Sequence, residues 1–209
     1  MQLTKYEHAC FTLEKDEQML VVDPGEFSSD FISPEHVIGV VITHEHDDHF
    51  DGERLSAIID KNPEAIIIAP QAVIAKIEAF QTKEAIPGET IHLGPFVLEF
   101  FGGTHATIHP SFPVVDNIGV LINDLVYYPG DSLTLPGKSV DTLAIPAAAP
   151  WLKISEVMDF LSAIRPRLVF PTHDAILSTA GKEISDAHLQ AAASKINVTY
   201  QRLTEQITI

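Results

Sequence analysis

Short apolar runs alternate with segments of helical spacing along the chain, and this rhythm predicts an α/β fold. Phe11 and Leu13 alternate with polar neighbours, and Met19–Val22 is an apolar run that stops at the turn signal Asp23-Pro24-Gly25. Val37–Ile42, apolar apart from Gly39, and Ala65–Ala69 suit strands buried on both faces. Between them Leu55, Ile58 and Ile59 form one stripe of a helix that Asn62-Pro63 halts, and Val73, Ile74 and Ile77 predict a second helix. The middle is β-rich, with Thr90–Leu93, Phe96–Phe101, Ile118–Ile122 and Leu125–Tyr128 as strands and Asn123-Asp124 as a hairpin turn. Thr142–Ile145 and Leu168–Phe170 read as strands on either side of a helix. That helix carries Val157, Phe160, Leu161 and Ile164 behind a candidate N-cap at Ser155. A last helix has Leu189, Ala192, Ala193 and Ile196 on one face with Ser185 as its cap, and Val198–Leu203 predicts a closing strand. Each half therefore holds several strands followed by helices. Two sheets packed face to face, with helices outside, would bury both halves around one core, so residues 1–209 are read as one domain.

Charge narrows the partners. Lys and Arg number 13 against 29 Asp and Glu, a formal net charge of -16, and no two basic residues are adjacent. A nucleic-acid footprint is therefore not expected. Neither is a membrane span, which needs about 20 nearly uninterrupted apolar residues. The opening MQLTKYEHACF has no apolar signal core, and the single cysteine, Cys10, cannot form an internal disulfide. A cytoplasmic protein acting on a small molecule is the expectation. Cys10 between Ala9 and Phe11 reads as a small apolar core residue. Trp151, the only tryptophan, is expected in the core ahead of a pocket wall.

Three of the ten histidines fall in Thr43-His44-Glu45-His46-Asp47-Asp48-His49, directly after a predicted buried strand. His44 and His46 point the same way if the chain stays extended, while Asp48 and His49 follow a turn. Imidazoles and carboxylates without a thiolate are donors for Zn, Fe or Mn. The plainer alternative is a polar loop in which Asp47 or Asp48 caps the next helix, but three histidines with an interleaved aspartate favour metal chemistry.

Thr-His-x-His-x-Asp-His at 43–49 resembles the signature of the metallo-β-lactamase superfamily. Further landmarks follow in the family's order: Asp23 after an early strand, His105 in Gly102-Gly103-Thr104-His105, Asp131 in Gly130-Asp131, and His173 in Pro171-Thr172-His173. The opening Tyr6-Glu7-His8-Ala9-Cys10 is similar to the small single-domain branch that includes the L-ascorbate-6-phosphate lactonases. The resemblance implies a four-layer αββα sandwich of two mixed β-sheets with helices on the outer faces. It also implies two divalent metal ions, zinc foremost with Mn or Fe as alternatives. His44, His46 and His105 would hold the first, Asp48, His49 and His173 the second, and Asp131 would bridge. Asp23 would stand behind these ligands. His8, read from the residues alone, either approaches the site from the first hairpin and stands behind them too or has a structural role, which is the favoured reading.

What the resemblance implies chemically is a metal-dependent hydrolase. A dinuclear metal-bridged hydroxide would attack a small ester, lactone, amide or phosphodiester, with Asp48 orienting the nucleophile. No Gly-x-Ser-x-Gly elbow offers a serine nucleophile instead. His109 is a second candidate, either as first-site ligand in place of His105, as a catalytic proton-transfer group, or as an incidental loop residue. The paired glycines before His105, which permit a tight approach to the site, favour His105 as the ligand. Asn117 is a candidate substrate-binding donor, although turn chemistry explains it equally. His36, His92 and His188 are read as ordinary. Two other functions remain open: an iron-dependent redox enzyme on the same fold, and a metal-binding module without strong catalysis. Structural zinc sites are closed four-ligand shells, often with cysteine, so an open N/O site favours catalysis.

Overall fold

Two seven-stranded mixed sheets form the centre of the molecule in the computed structural model, which describes residues 1–78 and 80–209. The first sheet uses β1 (Gln2–Lys5), β2 (Phe11–Lys15), β3 (Gln18–Val22), β4 (Val37–Val41), β5 (Ile66–Ala69) and β6 (Thr82–Glu84). Helix α1 (Gly52–Lys61) joins β4 to β5, and the short α2 (Gln71–Ile74) joins β5 to β6. The second sheet is built from β7 (Thr90–Leu93), β8 (Phe96–Thr104), β9 (Asp116–Ile122), β10 (Val126–Tyr128), β11 (Thr142–Pro146), β12 (Leu168–Thr172) and β13 (Thr199–Tyr200). Helix α3 (Ile154–Ile164) lies between β11 and β12 and α4 (Thr179–Lys195) before β13, while β14 (Ile207–Thr208) returns to pair with β1.

The layering follows from which faces are apolar. Phe11, Leu13, Leu20 and Val22 of the first sheet interdigitate with Phe96, Leu98, Phe100, Val120 and Phe170 of the second. The outer face of the first sheet packs on Leu55, Ile58 and Ile59 of α1, and that of the second on Phe160, Leu161, Leu189 and Ala193 of α3 and α4. Burying each such Leu, Ile or Phe removes it from water at about 1.5–3 kcal/mol. The result is the four-layer αββα arrangement. No helix among the described residues is long and apolar enough to cross a membrane.

Local signals held unevenly. Asn123 and Asp124 both adopt φ of 54°, the positive values a tight β9–β10 hairpin needs. Cap positions differ from the spacing-based expectation. Ser178, not Ser185, caps α4 by accepting from Gly181 N–H, and Ser185 lies inside the helix with its hydroxyl donating to Ala147 O. Lys153, not Ser155, is the N-cap of α3 and makes no side-chain hydrogen bond there. Asp51 caps α1, accepting from Glu53 and Arg54 N–H, which leaves Asp47 and Asp48 uncommitted to capping. The second predicted helix stops at Ile74, and Ile77 packs on the first sheet's outer core from beyond it. Of the predicted closing strand only Thr199–Tyr200 pairs, with Leu168 and Val169 of β12.

Candidate metal centre

Every candidate donor follows the C-terminal end of a strand: His8 after β1, Asp23 after β3, His44–His49 after β4, His105 after β8, Asp131 after β10 and His173 after β12. The ends of both sheets thus converge on one rim. A backbone bond from Ile118 N–H to Thr43 O ties the first sheet to the second at this point. Two glycines make the convergence possible. A Cβ at Gly25 would lie 2.0 Å from the backbone of Asp48, and one at Gly130, whose φ is +61°, would lie 2.4 Å from Asn117 Oδ1. Gly102 and Gly103 serve differently from the expectation. A Cβ at Gly103 would meet only Pro87 at 3.5 Å, so the pair is required for positive φ (86° and 132°) rather than for close approach to the site.

Three groups of donors have their ligand atoms within 4.8 Å of one another: His8, Asp48, His49 and His173; His44, His46 and His105; and His44, His49 and Asp131. The hydrogen bonds behind them dictate what they present. His49 Nδ1–H donates to Asp23 Oδ2 at 2.7 Å, His105 Nδ1–H to Ala106 O at 2.5 Å, and His173 Nδ1–H to Ala148 O at 2.6 Å. His44 Nδ1 lies 3.0 Å from Thr43 Oγ1, whose own hydroxyl donates to Asp23 Oδ2 at 2.7 Å. With the Nδ1 proton committed outward, each of these four rings turns Nε2 inward, where it presents a lone pair whenever the ring is neutral.

Those lone pairs face carboxylate oxygens. His173 Nε2 is 3.1 Å from both Asp48 Oδ2 and Asp131 Oδ2, His105 Nε2 is 3.3 Å from Asp131 Oδ2, and His49 Nε2 is 3.3 Å from Asp131 Oδ1. Yet His49, His105 and His173 Nε2 and Asp131 Oδ1 are buried without an aligned hydrogen-bond partner. Lone pairs held against anionic oxygens in a buried space repel unless positive charge sits between them. This donor set fits a divalent cation, or two.

The ionisation states agree. Burial, reinforced by His49, pushes the His44 imidazole well below its ordinary pKa despite Asp131. Burial likewise lowers His46 and His8. Asp131 and Asp48 are held below the usual carboxylate range: burial opposes this, but their histidine neighbours outweigh it. His173 goes the other way. Its burial is overcome by Asp131 and Asp48, raising it to about 9. His49 is raised well above the ordinary value by Asp131 and Asp23 against its burial. The carboxylates favour positive charge at this point, which a proton on Nε2 of these two rings, or a cation in its place, would supply.

Asp23 is fully buried and accepts from Thr43 N–H, Thr43 Oγ1–H and His49 Nδ1–H. His8 accepts Ala175 N–H on Nδ1 at 3.2 Å, which leaves Nε2–H to donate to Asp48 Oδ2 at 2.9 Å. Its carbonyl accepts from His173 N–H. His8, Asp23 and His173 all occupy the left-handed region, with φ of 58°, 43° and 57°. Such strain costs about 1 kcal/mol or more per residue and persists only where surrounding bonds hold it.

Two sequence candidates fall outside the cluster. His109 is exposed on the loop after β8, with Nδ1 accepting from Ser111, and it belongs to none of the donor groups. Asn117 is fully buried; its Nδ2 donates to Pro129 O and its Oδ1 accepts Asp131 N–H. It holds the Asp131 turn from behind and offers nothing to a substrate. Trp151 is the residue the sequence undervalued. It is half-buried, its ring meets His105 edge-on at 5.9 Å, and its Nε1–H donates to Asp131 Oδ2 at 3.0 Å. Cys10 is buried in the outer core of the first sheet, and burial pushes its thiol above the ordinary range.

Comparisons with known proteins bear on the family and the fold. The family profile described as the Beta-lactamase superfamily domain matches residues 2–173. Protein Rv0786c of Mycobacterium tuberculosis is 37% identical over 214 residues, covering 100% of this chain and 93% of that protein. Igni18, a metallo hydrolase of the hyperthermophilic archaeon Ignicoccus hospitalis, shares the fold with a TM-score of 0.74 at 18% identity, over 99% of this chain and 97% of that one. CmlA, a diiron beta-hydroxylase from Streptomyces venezuelae, does so with a TM-score of 0.76 at 15% identity, over 100% of this chain and 53% of that one.

Proposed function

This chain belongs to the beta-lactamase superfamily, and on that premise we propose that it is a metal-dependent hydrolase of a small ester, lactone, amide or phosphodiester. The observation that carries this reading is the set of buried, partnerless Nε2 atoms of His49, His105 and His173 converging on Asp131. His44, His46 and His105 would hold one divalent cation and Asp48, His49 and His173 a second, with Asp131 between them. Zinc suits these donors, as do manganese and iron. Bound there, such cations supply Lewis acidity, bringing the pKa of water from 15.7 towards about 7 and polarising the oxygen of the electrophile.

The remaining work falls to the chain. Asp23, Ala106 O and Ala148 O fix the rings of His49, His105 and His173 in the tautomer that turns Nε2 inward. Asp48 lines the cavity, and His8 Nε2–H holds its Oδ2, which leaves Oδ1 to accept a proton from the attacking water. Asn117 and Trp151 steady Asp131 from two sides, through its backbone N–H and its Oδ2.

Metal analysis of the purified protein, followed by a panel of ester, lactone, amide and phosphodiester substrates, tests this. Bound transition metal and turnover that collapses in His46→Ala are the expected results. Absence of bound metal, or unchanged turnover in that variant, overturns the assignment. A second reading, iron-dependent redox chemistry, draws on the thiolate-free donor set and on the fold shared with CmlA. Bound iron with substrate-dependent oxygen consumption would promote it over hydrolysis.

A further inference from the structure

The cavity in front of the donor cluster measures about 580 Å³, and its walls divide by chemistry. That volume suits a small organic molecule. Phe27, Pro150 and Ile176 form an apolar side, with Phe27 42% and Ile176 50% exposed. A second, smaller crevice is shared by His46 and His105 with Ile108, Phe112 and Val114, all three exposed. Five of the nine large hydrophobic side chains exposed among the described residues therefore flank this one site. Exposed apolar surface gathered at a mouth marks a ligand surface.

The charged part of the rim is acidic. Glu26, Glu45 and Asp47 line the cavity with one cation, Lys76, and that ammonium is spent on Glu45 at 2.6 Å. Glu26 and Asp47 have no ion-pair partner among the described residues. Two negative charges without a salt bridge thus line the entrance, Arg54 reaching Glu26 only at its backbone carbonyl, and both lie within a Debye length of about 8–10 Å of anything bound there. The deeper carboxylates are different, since Asp23, Asp48 and Asp131 are each engaged by histidines.

Resting on the hydrolase reading above, we propose that the substrate is a carboxylic ester, lactone or amide whose non-reacting part is apolar and neutral or cationic. A remote phosphate or carboxylate is rejected at the rim. A phosphorylated lactone, which similarity of the opening Tyr6–Cys10 to the ascorbate-6-phosphate lactonases would suggest, fits this mouth poorly. Hydrolysis adds the oxygen of water to the acyl carbon and breaks the C–O or C–N bond. One water proton goes to the leaving alcohol or amine and the other to solvent. The product is a carboxylate, and the same acidic rim hastens its exit.

The test uses binding, so it does not depend on finding the natural substrate. Three phenylacetohydroxamic acids bearing a para methyl, aminomethyl or carboxylate group are titrated calorimetrically into the zinc-loaded protein. The methyl and aminomethyl compounds should bind at least about tenfold more tightly than the carboxylate at low salt. That gap should narrow at 0.5 M salt and in Glu26→Gln. Phe27→Ala should weaken all three by about three- to tenfold. Equal or tighter binding of the carboxylate compound, binding of none of the three, or no effect of Phe27→Ala overturns the substrate assignment while zinc content leaves the hydrolase reading standing. A protein that takes up no zinc removes the hydrolase reading itself, and this inference with it.

Discussion

In the half of the cluster formed by Asp48, His49 and His173, every donor is braced: by His8, by Asp23 and by Ala148 O. In the half formed by His44, His46 and His105, His46 is half-exposed, and its one side-chain hydrogen-bond contact among the described residues is with His44 Nε2 at 3.1 Å. The left-handed residues His8, Asp23 and His173 all belong to the braced half. Strain and bracing thus occur together, as they must if the fold is to hold donors in place before a cation arrives. His44 and His105 are held by Thr43 Oγ1 and Ala106 O, so in this half His46 alone is free to adjust. Zinc should therefore fill the Asp48–His49–His173 position first and the His46 position second, in two resolved calorimetric steps.

Asp131 touches both halves, through His105 and His49 and through His173, so its removal has the largest effect. Asp131→Asn should weaken both steps by more than about 100-fold, beyond the range usual for groups behind a ligand. Loss confined to one step would separate the halves and break the comparison. Asp23→Asn comes next. It should cost about 10–100-fold at the braced position. Because the buried carboxylate also receives two bonds from Thr43, the metal-free protein should lose roughly 1–3 kcal/mol in denaturant unfolding. His8→Asn sharpens the comparison further. Asparagine tolerates the left-handed backbone of position 8 but does not reproduce the Nε2–H bond to Asp48. About a tenfold loss at the braced step, with the other step unchanged, is the expected calorimetric result.

The donors of both halves were legible in the sequence. His44, His46, Asp48 and His49 lie within six residues after a β-branched run, and Asp23, His105, Asp131 and His173 each follow a strand that periodicity predicts. Local spacing carries that information because both sheets end on the same rim. The bracing groups behind the rings were less visible. Ala106 O and Ala148 O are backbone atoms that no residue type announces. Asn117 looked like a loop donor to substrate because residue type did not show that it lies inside β9 with its amide turned to the Asp131 backbone. His109 looked like a neighbour of His105, but the loop between them carries it away to solvent. Helix starts were misjudged for a related reason: Ser155 and Ser185 are plausible caps by type, yet the chain enters α3 at Lys153 and α4 at Ser178, where tertiary packing sets the entry.

Trp151 bears on the comparison most gently and most directly, because its indole N–H bonds the one carboxylate that both halves share. Nothing in Pro150-Trp151-Leu152 distinguishes a core tryptophan from one that steadies Asp131; only the fold brings β11's following loop across from β10. Trp151→Phe keeps a ring edge against His105 but deletes the donor to Asp131 Oδ2. A hydrogen bond to a charged group on a half-buried side chain accounts for about three- to tenfold in zinc affinity, spread over both steps. As the only tryptophan, Trp151 also reports on the site in the unaltered protein. Zinc drawing on the Asp131 charge should change its emission, with the change complete when the calorimetric steps are complete. Emission that stays constant through zinc saturation, together with unaltered affinity in Trp151→Phe, would return Trp151 to a packing role and leave Asp131 steadied by Asn117 alone.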